Sequence, residues 1–234
     1  MINEYVEIAN YYDNLLTSGY FDFNYLSNSL YNLLGARRKV LDIGVGTGLL
    51  TEKMLSLANY KIVGVDFSPR MLEIAKKRLV NSNVKLICED ITEFETEEKF
   101  DAIVSTGGVI CILEENGEYR ISSHIIDPEK NKQLLGKLHS QLDQGGLLAL
   151  GIQETHTNYK KEIKDQIFYE QKIKQEENYV DKWYVFSQAN GNILSEQFCR
   201  FYVFDGRETN KILANAGFQQ GYKIIDGKFL VSYK

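Results

Sequence analysis

Three glycines at alternate positions follow an acid in residues 40–50, VLDIGVGTGLL, and this group could bind a cofactor. The pattern predicts a buried strand that ends in a tight glycine turn and opens a helix. Gly44 and Gly46 permit backbone angles and a close approach that a Cβ would block, and Gly48 lets the helix pack closely. The free N–H groups of the new helix would then face a ligand. The chemistry indicated is the binding of a nucleotide-like cofactor.

The spacing of the glycines distinguishes between classes of nucleotide. A dinucleotide-binding turn reads Gly-x-Gly-x-x-Gly and would need glycine at the position of Leu49. Asp42 stands two residues before the first glycine, where a carboxylate would repel a pyrophosphate and attract an ammonium group. The segment resembles motif I of the class I S-adenosylmethionine-dependent methyltransferases. By that resemblance Asp42 would lie near the methionine amino end of the cofactor, often acting through water.

Further segments resemble the same family in the same order along the chain. GVDFSPRMLEIAKKRL (64–79) reads as a second strand and an amphipathic helix, and Asp66 at the strand tip is placed to bind both ribose hydroxyls. CEDITEF (88–94) resembles the segment that contacts the adenine. The cofactor-binding residues that the resemblance implies are Tyr12, Tyr25, Asp42, Gly44, Gly46, Gly48, Asp66, Phe67, Met71, Asp90, Ile91, Ser105 and Thr106.

The order of the segments predicts the fold class and the domain organisation. We expect an α/β fold with a doubly wound, mostly parallel sheet of seven strands, in which strands alternate with helices through the fifth strand. Residues 1–234 would form a single Rossmann-like methyltransferase domain. Its expected parts are a helical cap (1–35), a cofactor-binding core (36–152), an antiparallel β insertion (153–206) and a closing helix and hairpin (207–234).

The hydrophobic pattern predicts the elements of the cap and of the insertion. Two helices, Glu4–Leu16 and Tyr25–Leu34, would form the cap. Three antiparallel strands, 167–174, 179–187 and 192–204, would form the insertion. The insertion leaves the ligand-binding edge of the sheet, so it would be either a wall over the substrate or a homodimer surface. Its aromatic stripe would either pack on the core or contact the substrate, and it consists of Trp183, Phe186, Phe198, Phe201 and Phe204.

Composition limits the partners and the compartment. The net charge of −5 argues against a nucleic-acid surface, which needs clustered basic residues. Cys88, Cys111 and Cys199 show no metal-like or redox spacing and read as reduced thiols. The N-terminus lacks the basic and apolar regions of a signal peptide, and no segment approaches about 18 apolar residues. We expect a cytoplasmic protein that binds neither nucleic acid nor membrane.

Methyl transfer from a sulfonium depends on alignment more than on covalent help, so its catalytic residues are weakly encoded. His124 or His156 could take a proton near neutral pH, and Tyr12 could fold over the sulfonium. Arg120 could pair with a substrate carboxylate or, alternatively, with Glu118 or Asp127. His124 could instead form hydrogen bonds within its own loop, and His156 could be exposed. A metal site is not expected, because the acids and histidines lack ligand spacing. The candidate substrate-binding residues are Arg120, His124, Gln153, Glu154 and His156.

The resemblance narrows to a subgroup that methylates amino sugars and small amines. EIANYYDNLL (7–16) is similar to its N-terminal helix, in which a Tyr-Asp pair closes over the cofactor, and a second tyrosine lies near the methionine carboxylate. The loop STGG (105–108) differs from the Asn/Asp-Pro-Pro-Tyr/Phe of nucleic-acid methyltransferases. The resemblance implies transfer from S-adenosylmethionine to the nitrogen of a small molecule in specialised metabolism. O-methylation, a nicotinamide oxidoreductase and a non-catalytic cofactor-binding protein remain alternatives.

Overall fold

A computed structural model describes residues 3, 5–80 and 82–234 of the chain. The helices are α1 (Ala9–Leu15), α2 (Phe23–Leu34), α3 (Leu49–Leu57), α4 (Pro69–Arg78), α5 (Pro128–Gln141) and α6 (Thr209–Asn215). The strands are β1 (Lys39–Ile43), β2 (Lys61–Asp66), β3 (Val84–Cys88), β4 (Phe100–Ser105), β5 (Ile110–Glu115), β6 (Glu118–Ser123), β7 (Leu142–Glu154), β8 (Tyr159–Lys164), β9 (Ile167–Glu176), β10 (Tyr179–Gln188), β11 (Ile193–Val203), β12 (Lys223–Ile225) and β13 (Phe229–Tyr233). Within this described part, no helix is both long and apolar enough to span a membrane.

One continuous sheet of thirteen strands runs through the described residues. Its core half has the order β3-β2-β1-β4-β7-β13-β12, with parallel pairing from β3 to β7 and antiparallel pairing of β13 with both neighbours. Its outer half continues as β5-β6-β11-β10-β9-β8. The prediction of seven strands is wrong for the whole sheet, because β7 extends beyond the core half and pairs there with further strands. Leu147–Gly151 pairs with β13, and Ile152–Glu154 then pairs with β5.

The outer half contains more strands than the sequence pattern indicated. Residues 110–123, for which the sequence pattern predicted no strand, form the hairpin of β5 and β6, and its turn residues Asn116 and Gly117 both have positive φ, 53° and 83°. An Asn-Gly pair between two extended runs is a strong hairpin signal that the analysis missed. A fourth insertion strand, β8, pairs with β9 across a turn at Asp165 and Gln166.

The helices also differ from the expected alternation. No helix lies between β3 and β4 in the described residues, where the chain makes a turn at 91–93 and then has no regular secondary structure before β4. The first cap helix begins at Ala9 rather than Glu4, which itself lies outside the described residues. The second begins at Phe23, where the Asp22 side chain accepts a hydrogen bond from the N–H of Tyr25 and caps the helix.

Both faces of the core half are buried, as a parallel sheet requires. Along β7, Leu147 and Ala149 pack with α2 and α3, whereas Leu148 and Leu150 pack with α5 and α6. This period of two fixes the strand between two layers of helix. The carboxyl ends of β1, β2 and β4 therefore remain as the open edge at which a ligand can bind.

A third core joins the N-terminal segment to the inner face of the outer half. It includes Ile8, Leu15, Tyr169, Tyr184 and Phe186, all buried. The aromatic stripe predicted in the insertion does not share one face. Phe186 and Phe201 belong to this third core, Trp183 and Phe198 contact each other at a centroid distance of 5.1 Å, and Phe204 joins the core of α5 and α6. Positions of opposite parity along a strand face opposite sides of the sheet.

Candidate active site

A cavity of about 390 Å³ lies at the carboxyl edge of the core half, beneath the N-terminal segment. The glycine turn after β1, the tip of β2 and the loops after β3 and β4 form its floor. The predicted site residues that line it are Tyr12, Gly44, Gly46, Asp66, Phe67, Met71, Asp90, Ile91, Thr106 and His124. Ten residues predicted from scattered positions along the chain thus meet at one cavity.

The glycine turn is shaped by close backbone packing. Gly44 has φ 73°, and a Cβ there would lie 2.7 Å from the Cα of Gly108 in the loop after β4. A side chain at Gly46 would meet no heavy atom closer than 3.9 Å, so this residue faces open space. Gly48 does not line the cavity; a Cβ there would lie 2.9 Å from Leu79, just beyond α4. The predicted role of Gly48 in close packing therefore concerns α4.

The Asp66 carboxylate is held in place by backbone donors. The N–H of Gly46 donates to Oδ2 at 2.9 Å, and the N–H of Ser68 donates to Oδ1 at 2.8 Å. Burial raises the pKa of this carboxyl, and the two backbone hydrogen bonds oppose the rise. Each carboxylate oxygen can accept a further hydrogen bond, so both can still receive a hydroxyl of a ligand.

Three further residues of the predicted cofactor set lie outside the cavity lining, as Gly48 does. Asp42 is 5% exposed and accepts a 2.7 Å hydrogen bond from the hydroxyl of Thr51, and burial raises its pKa to about 6. Its carboxylate therefore supports the start of α3 beneath the turn. Ser105 is fully buried, with its hydroxyl 3.4 Å from the N–H of Ile110. Tyr25 lies at the edge of a second cavity, described below.

The N-terminal segment is tied to the glycine turn by one carboxylate. Asp13 accepts a hydrogen bond from the Thr47 hydroxyl at 2.6 Å and one from the Arg78 guanidinium at 2.6 Å. Arg78 also donates to the carbonyl oxygen of Thr47 at 2.6 Å. Tyr12, next to Asp13, lies over the cavity. Asp13 therefore connects α1, the glycine turn and α4 at the mouth of the site.

We expect Asp13→Asn to weaken cofactor retention. The amide cannot accept from both Thr47 and Arg78 as a carboxylate does, and the half-buried ion pair with Arg78 is lost. The dissociation rate of S-adenosylhomocysteine should rise by about 10-fold, equivalent to about 1.4 kcal/mol, in surface plasmon resonance. Asp205→Asn, which removes an exposed pair with Arg207, serves as the control. A dissociation rate equal to that of the wild type would show that Asp13 does not hold the site closed.

A second cavity of about 590 Å³ adjoins the first. The predicted residues that line it are Tyr25, Gln153, Glu154 and His156. Phe21 and Leu26 line both cavities. A small pocket between them is bordered by Tyr12, Gly107 and Gln153. The site is thus two chambers in contact, one at the glycine turn and one against the outer half of the sheet.

The two histidines of the predicted site lie in different chambers. Nε2 of His124 lies 2.7 Å from the Tyr5 hydroxyl in the first chamber, and burial lowers the pKa of this ring to about 4. His156 lines the second chamber, and burial lowers its pKa to about 3. Both rings are therefore neutral at neutral pH and hold a proton weakly. Neither has the near-neutral pKa that the predicted general base requires.

The lowered pKa values of these two histidines predict that the free energy of unfolding falls in acid. The unfolded rings titrate near pH 6.5 and the folded rings only near 4 and 3, so the unfolded state binds protons first as the pH falls below about 6.5. Asp42 has the opposite effect on stability, because its pKa is higher in the folded state than in the unfolded state. It therefore offsets part of the loss of unfolding free energy between pH 6 and 3.8. Between pH 6.5 and 4.5, His156→Gln should lose about 2 kcal/mol less of its unfolding free energy than the wild type, by urea denaturation. An identical loss in both proteins would contradict this assignment.

Arg120 lies outside both chambers, contrary to its predicted role in substrate binding. Its Nε donates to the carbonyl oxygen of Phe204 at 3.2 Å, and Nη1 lies 3.8 Å from Glu115. The β5–β6 hairpin, unforeseen in the sequence, places this residue on a strand instead of a loop. Among the described residues, no group of three acidic, histidine or cysteine side chains is arranged to hold a metal ion.

Three aromatic residues that complete the site were not predicted from the sequence. Phe21 stands between the chambers, Tyr5 contacts His124, and Tyr20 lines the second chamber. They belong to the N-terminal segment, in which a five-residue π-helical turn, Leu16–Tyr20, follows α1 and contains Gly19 at φ 89°. Helical periodicity does not describe such a turn, so its side chains could not be assigned to a face.

Solved structures share the fold over nearly the whole chain. The methyltransferase CcbJ of Streptomyces caelestis superposes with a TM-score of 0.77 at 15% identity, covering 100% of this chain and 98% of that one. An S-adenosylmethionine-bound amino pentose methyltransferase of Micromonospora echinaspora gives a TM-score of 0.71 at 15% identity, covering 95% of each chain. The fold is therefore that of the class I methyltransferases.

The core half of the sheet also resembles known proteins in its amino-acid sequence. Residues 40–146 match the family model described as a methyltransferase domain. A malonyl-[acyl-carrier protein] O-methyltransferase of Acetivibrio thermocellus is 36% identical over 85 residues, which cover 34% of this chain and 30% of that protein. This stretch of the chain is therefore a methyltransferase domain, as the motifs predicted, and one of the structures that share the fold has S-adenosylmethionine bound. The chain spans about a third of the length of this curated relative.

Proposed function

We propose that this protein transfers the methyl group of S-adenosylmethionine to a nitrogen atom of a small, hydroxyl-bearing amine. The observation that carries the proposal is the second chamber. Three carboxylates, Asp22, Glu114 and Glu154, line it together with one lysine, Lys228. A cavity with this excess of negative charge attracts a cation, and a protonated amine is the small-molecule cation with a methylatable nitrogen.

The polar lining of the same chamber suits an acceptor with several hydroxyl groups. Tyr119 and Tyr159 present phenols, and Gln153 and Gln171 present amides that can both donate and accept hydrogen bonds. Its volume of about 590 Å³ lies in the range of small-molecule sites. An amino sugar combines a cationic nitrogen with such hydroxyls, and the amino pentose methyltransferase that shares the fold supports this choice.

The cofactor would occupy the first chamber. Asp66 would bind the ribose, Asp90 and Ile91 would meet the adenine, and Tyr12 would cover the sulfonium end from the cap. Bound there, the cofactor supplies an electrophilic methyl group with a good leaving group. The residues of the chain then hold the two reactants next to each other where the chambers meet, beside Phe21, and they exclude water. This alignment of the reactants lowers the activation barrier.

A transfer assay with methyl-labelled S-adenosylmethionine tests the proposal. The panel contains glucosamine, galactosamine, ethanolamine and glycine, and the matching hydroxyl compounds glucose and glycerol are the controls. We expect label on at least one amine and on neither control. The N-methyl product should resist hydrolysis by dilute alkali, whereas a methyl ester would lose its label. Transfer to a hydroxyl or carboxyl group alone, or no transfer to any amine, would overturn the proposal.

A further inference from the structure

Lys182 is a fully buried lysine at the centre of the outer half of the sheet. It lies on β10 on the same face as Val180, Tyr184 and Phe186, and its side chain is 0% exposed. Its Nζ donates to the Tyr20 hydroxyl at 2.9 Å and lies 4.4 Å from the centroid of the Tyr184 ring. Among residues 3, 5–80 and 82–234, no carboxylate forms an ion pair with it. A buried ammonium without a counter-charge is costly, so this position calls for an explanation.

The titratable groups near Lys182 come from several elements, whereas its partner on the neighbouring strand β9 is the apolar Ile173. They are Tyr20 before α2, Tyr184 on its own strand, Cys199 on β11, Cys111 on β5, His124 after β6 and His156 after β7. Burial raises the pKa of both thiols to about 12 and lowers the pKa of both imidazoles. All of these neighbours are therefore neutral at neutral pH. None of them supplies the negative charge that would hold a proton on the amine.

Tyr20 connects this lysine to the space where an acceptor would lie. It lines the second chamber and the small pocket that leads to the first. In that small pocket it faces Tyr12, Gly107 and Gln153, which border the cofactor side. Tyr20 is thus hydrogen-bonded to Lys182 through its hydroxyl, and it also borders the path between the chambers.

We propose that Tyr20 and Lys182 form the proton-accepting pair for the methyl acceptor. This inference rests on the proposed function. The acceptor enters as an ammonium ion, and one of its N–H bonds breaks as the proton passes to the Tyr20 oxygen. When Lys182 is neutral, the Tyr20 hydroxyl is the donor across this 2.9 Å contact; its O–H bond breaks at the same time, and its proton forms a bond with the lone pair on Nζ. The freed nitrogen lone pair attacks the methyl carbon, and the carbon–sulfur bond breaks with its electron pair on sulfur.

The surroundings suit the amine to this exchange. Burial without a carboxylate lowers the pKa of Lys182 to about 7, so a large fraction of the amine is neutral at neutral pH. Once protonated, the ammonium is stabilised by the face of the Tyr184 ring, whose centroid lies 4.4 Å from Nζ, and by its hydrogen bond to the Tyr20 hydroxyl. The proton then leaves to solvent when the products are released. Tyr20 is the catalytic residue of the pair, and Lys182 acts through it.

Lys182→Met removes the amine and keeps the length of the side chain. We expect kcat on the first amine that the wild type methylates to fall by about 100-fold, the usual contribution of a proton-accepting group. The wild-type kcat should rise with pH through an ionisation near 7, and this limb should be absent in the variant. The affinity for S-adenosylhomocysteine, by titration calorimetry, should change by less than about twofold. Tyr20→Phe keeps the lysine and should also lose the limb, so the test does not depend on one variant folding.

Lys172→Met is the matched control, since Lys172 lies on the opposite face of the neighbouring strand β9 with 57% of its side chain exposed. It should leave kcat and its pH dependence unchanged. If Lys182→Met and Tyr20→Phe retain the wild-type kcat and its limb near pH 7, the pair is not the proton acceptor. If the wild type methylates no amine, the proposed function fails instead, and the two failures are distinguished.

A second readout needs no acceptor. The Cε–Hε signal of Lys182, assigned by its absence from spectra of Lys182→Met, should titrate near pH 7 in the wild type in ¹H–¹³C NMR. In Tyr20→Phe it should titrate at a different pH, because the hydrogen bond is lost. Titration near 10.5, the ordinary value for lysine, would overturn the proposal regardless of turnover.

Discussion

Asp66→Ala is expected to weaken binding of S-adenosylhomocysteine by at least about 100-fold, equivalent to about 2.7 kcal/mol. The carboxylate is the group at the tip of β2 that would receive the ribose hydroxyls, and hydrogen bonds to a charged acceptor are the strong ones. The change also leaves the N–H groups of Gly46 and Ser68 without their acceptor. The first chamber should therefore lose both a ligand contact and the support of its turn. Titration calorimetry measures the affinity.

Asp66→Asn separates these two effects. The asparagine can still accept hydrogen bonds through one oxygen but carries no charge, so the affinity should lie between those of wild type and alanine variant. Glu98→Gln is the control, because Glu98 makes only an exposed pair with Lys61 outside both chambers. An affinity of Asp66→Ala within twofold of the wild type would show that the ribose does not lie at this carboxylate.

Gly44→Ala is expected to destabilise the fold and to abolish measurable cofactor binding. The alanine Cβ would lie 2.7 Å from the Cα of Gly108 and 3.0 Å from the nitrogen of Val109, and both contacts are with backbone. The left-handed φ of 73° adds a cost of its own for any residue with a side chain. Together these predict a loss of about 3 kcal/mol in the free energy of unfolding. Thermal unfolding should show a fall in Tm of roughly 10 °C.

Gly136→Ala provides the contrast within the same chain. Gly136 lies inside α5, and a Cβ there would meet no heavy atom within 4 Å. Alanine should raise the stability by up to about 1 kcal/mol, because it has the higher helix propensity. If Gly44→Ala unfolds at the wild-type temperature and still binds S-adenosylhomocysteine, the close approach of the glycine turn and the loop after β4 is not required.

The glycine turn and the tips of the first strands could be predicted because local chemistry determines them. A buried apolar run, glycines at alternate positions and an acid at the end of β2 are each readable within a few residues. The same rule applies to the closing hairpin, where Asp226 and Gly227 adopt φ of 53° and 63° between β12 and β13. These elements form the first chamber, and most of the predicted cofactor-binding residues line it.

The outer half of the sheet depends on long-range pairing and was only partly predicted. β5 and β6 are joined to β7 and β11 across large sequence separations, and no local pattern specifies such partners. The error moved Arg120 from a strand to a loop and so into the predicted substrate site. Alternation along β10 did carry one unused signal. Lys182 stands at a position of the same parity as the buried Val180, Tyr184 and Phe186.

The direction of a side chain at the end of a strand also could not be predicted from the sequence. Asp42 is conspicuous in the sequence, but its carboxylate accepts from Thr51 in α3 instead of lining the chamber. Gln153 and Glu154, which are candidate substrate-binding residues at the end of β7, line the second chamber, although their distance from the glycine turn could not be predicted from the sequence. Tertiary packing determines these side-chain orientations, and the sequence pattern of a single segment does not reveal that packing.

A crystal structure of the wild-type protein with S-adenosylhomocysteine tests the central claim most directly. We predict the adenosine in the first chamber, with the ribose hydroxyls at Asp66 and the glycine turn of Gly44 and Gly46 beside it. The homocysteine sulfur should face the passage at Phe21 into the second chamber. Adenosine bound away from Asp66, or a sulfur directed away from that passage, would contradict both the cofactor site and the placement of the acceptor.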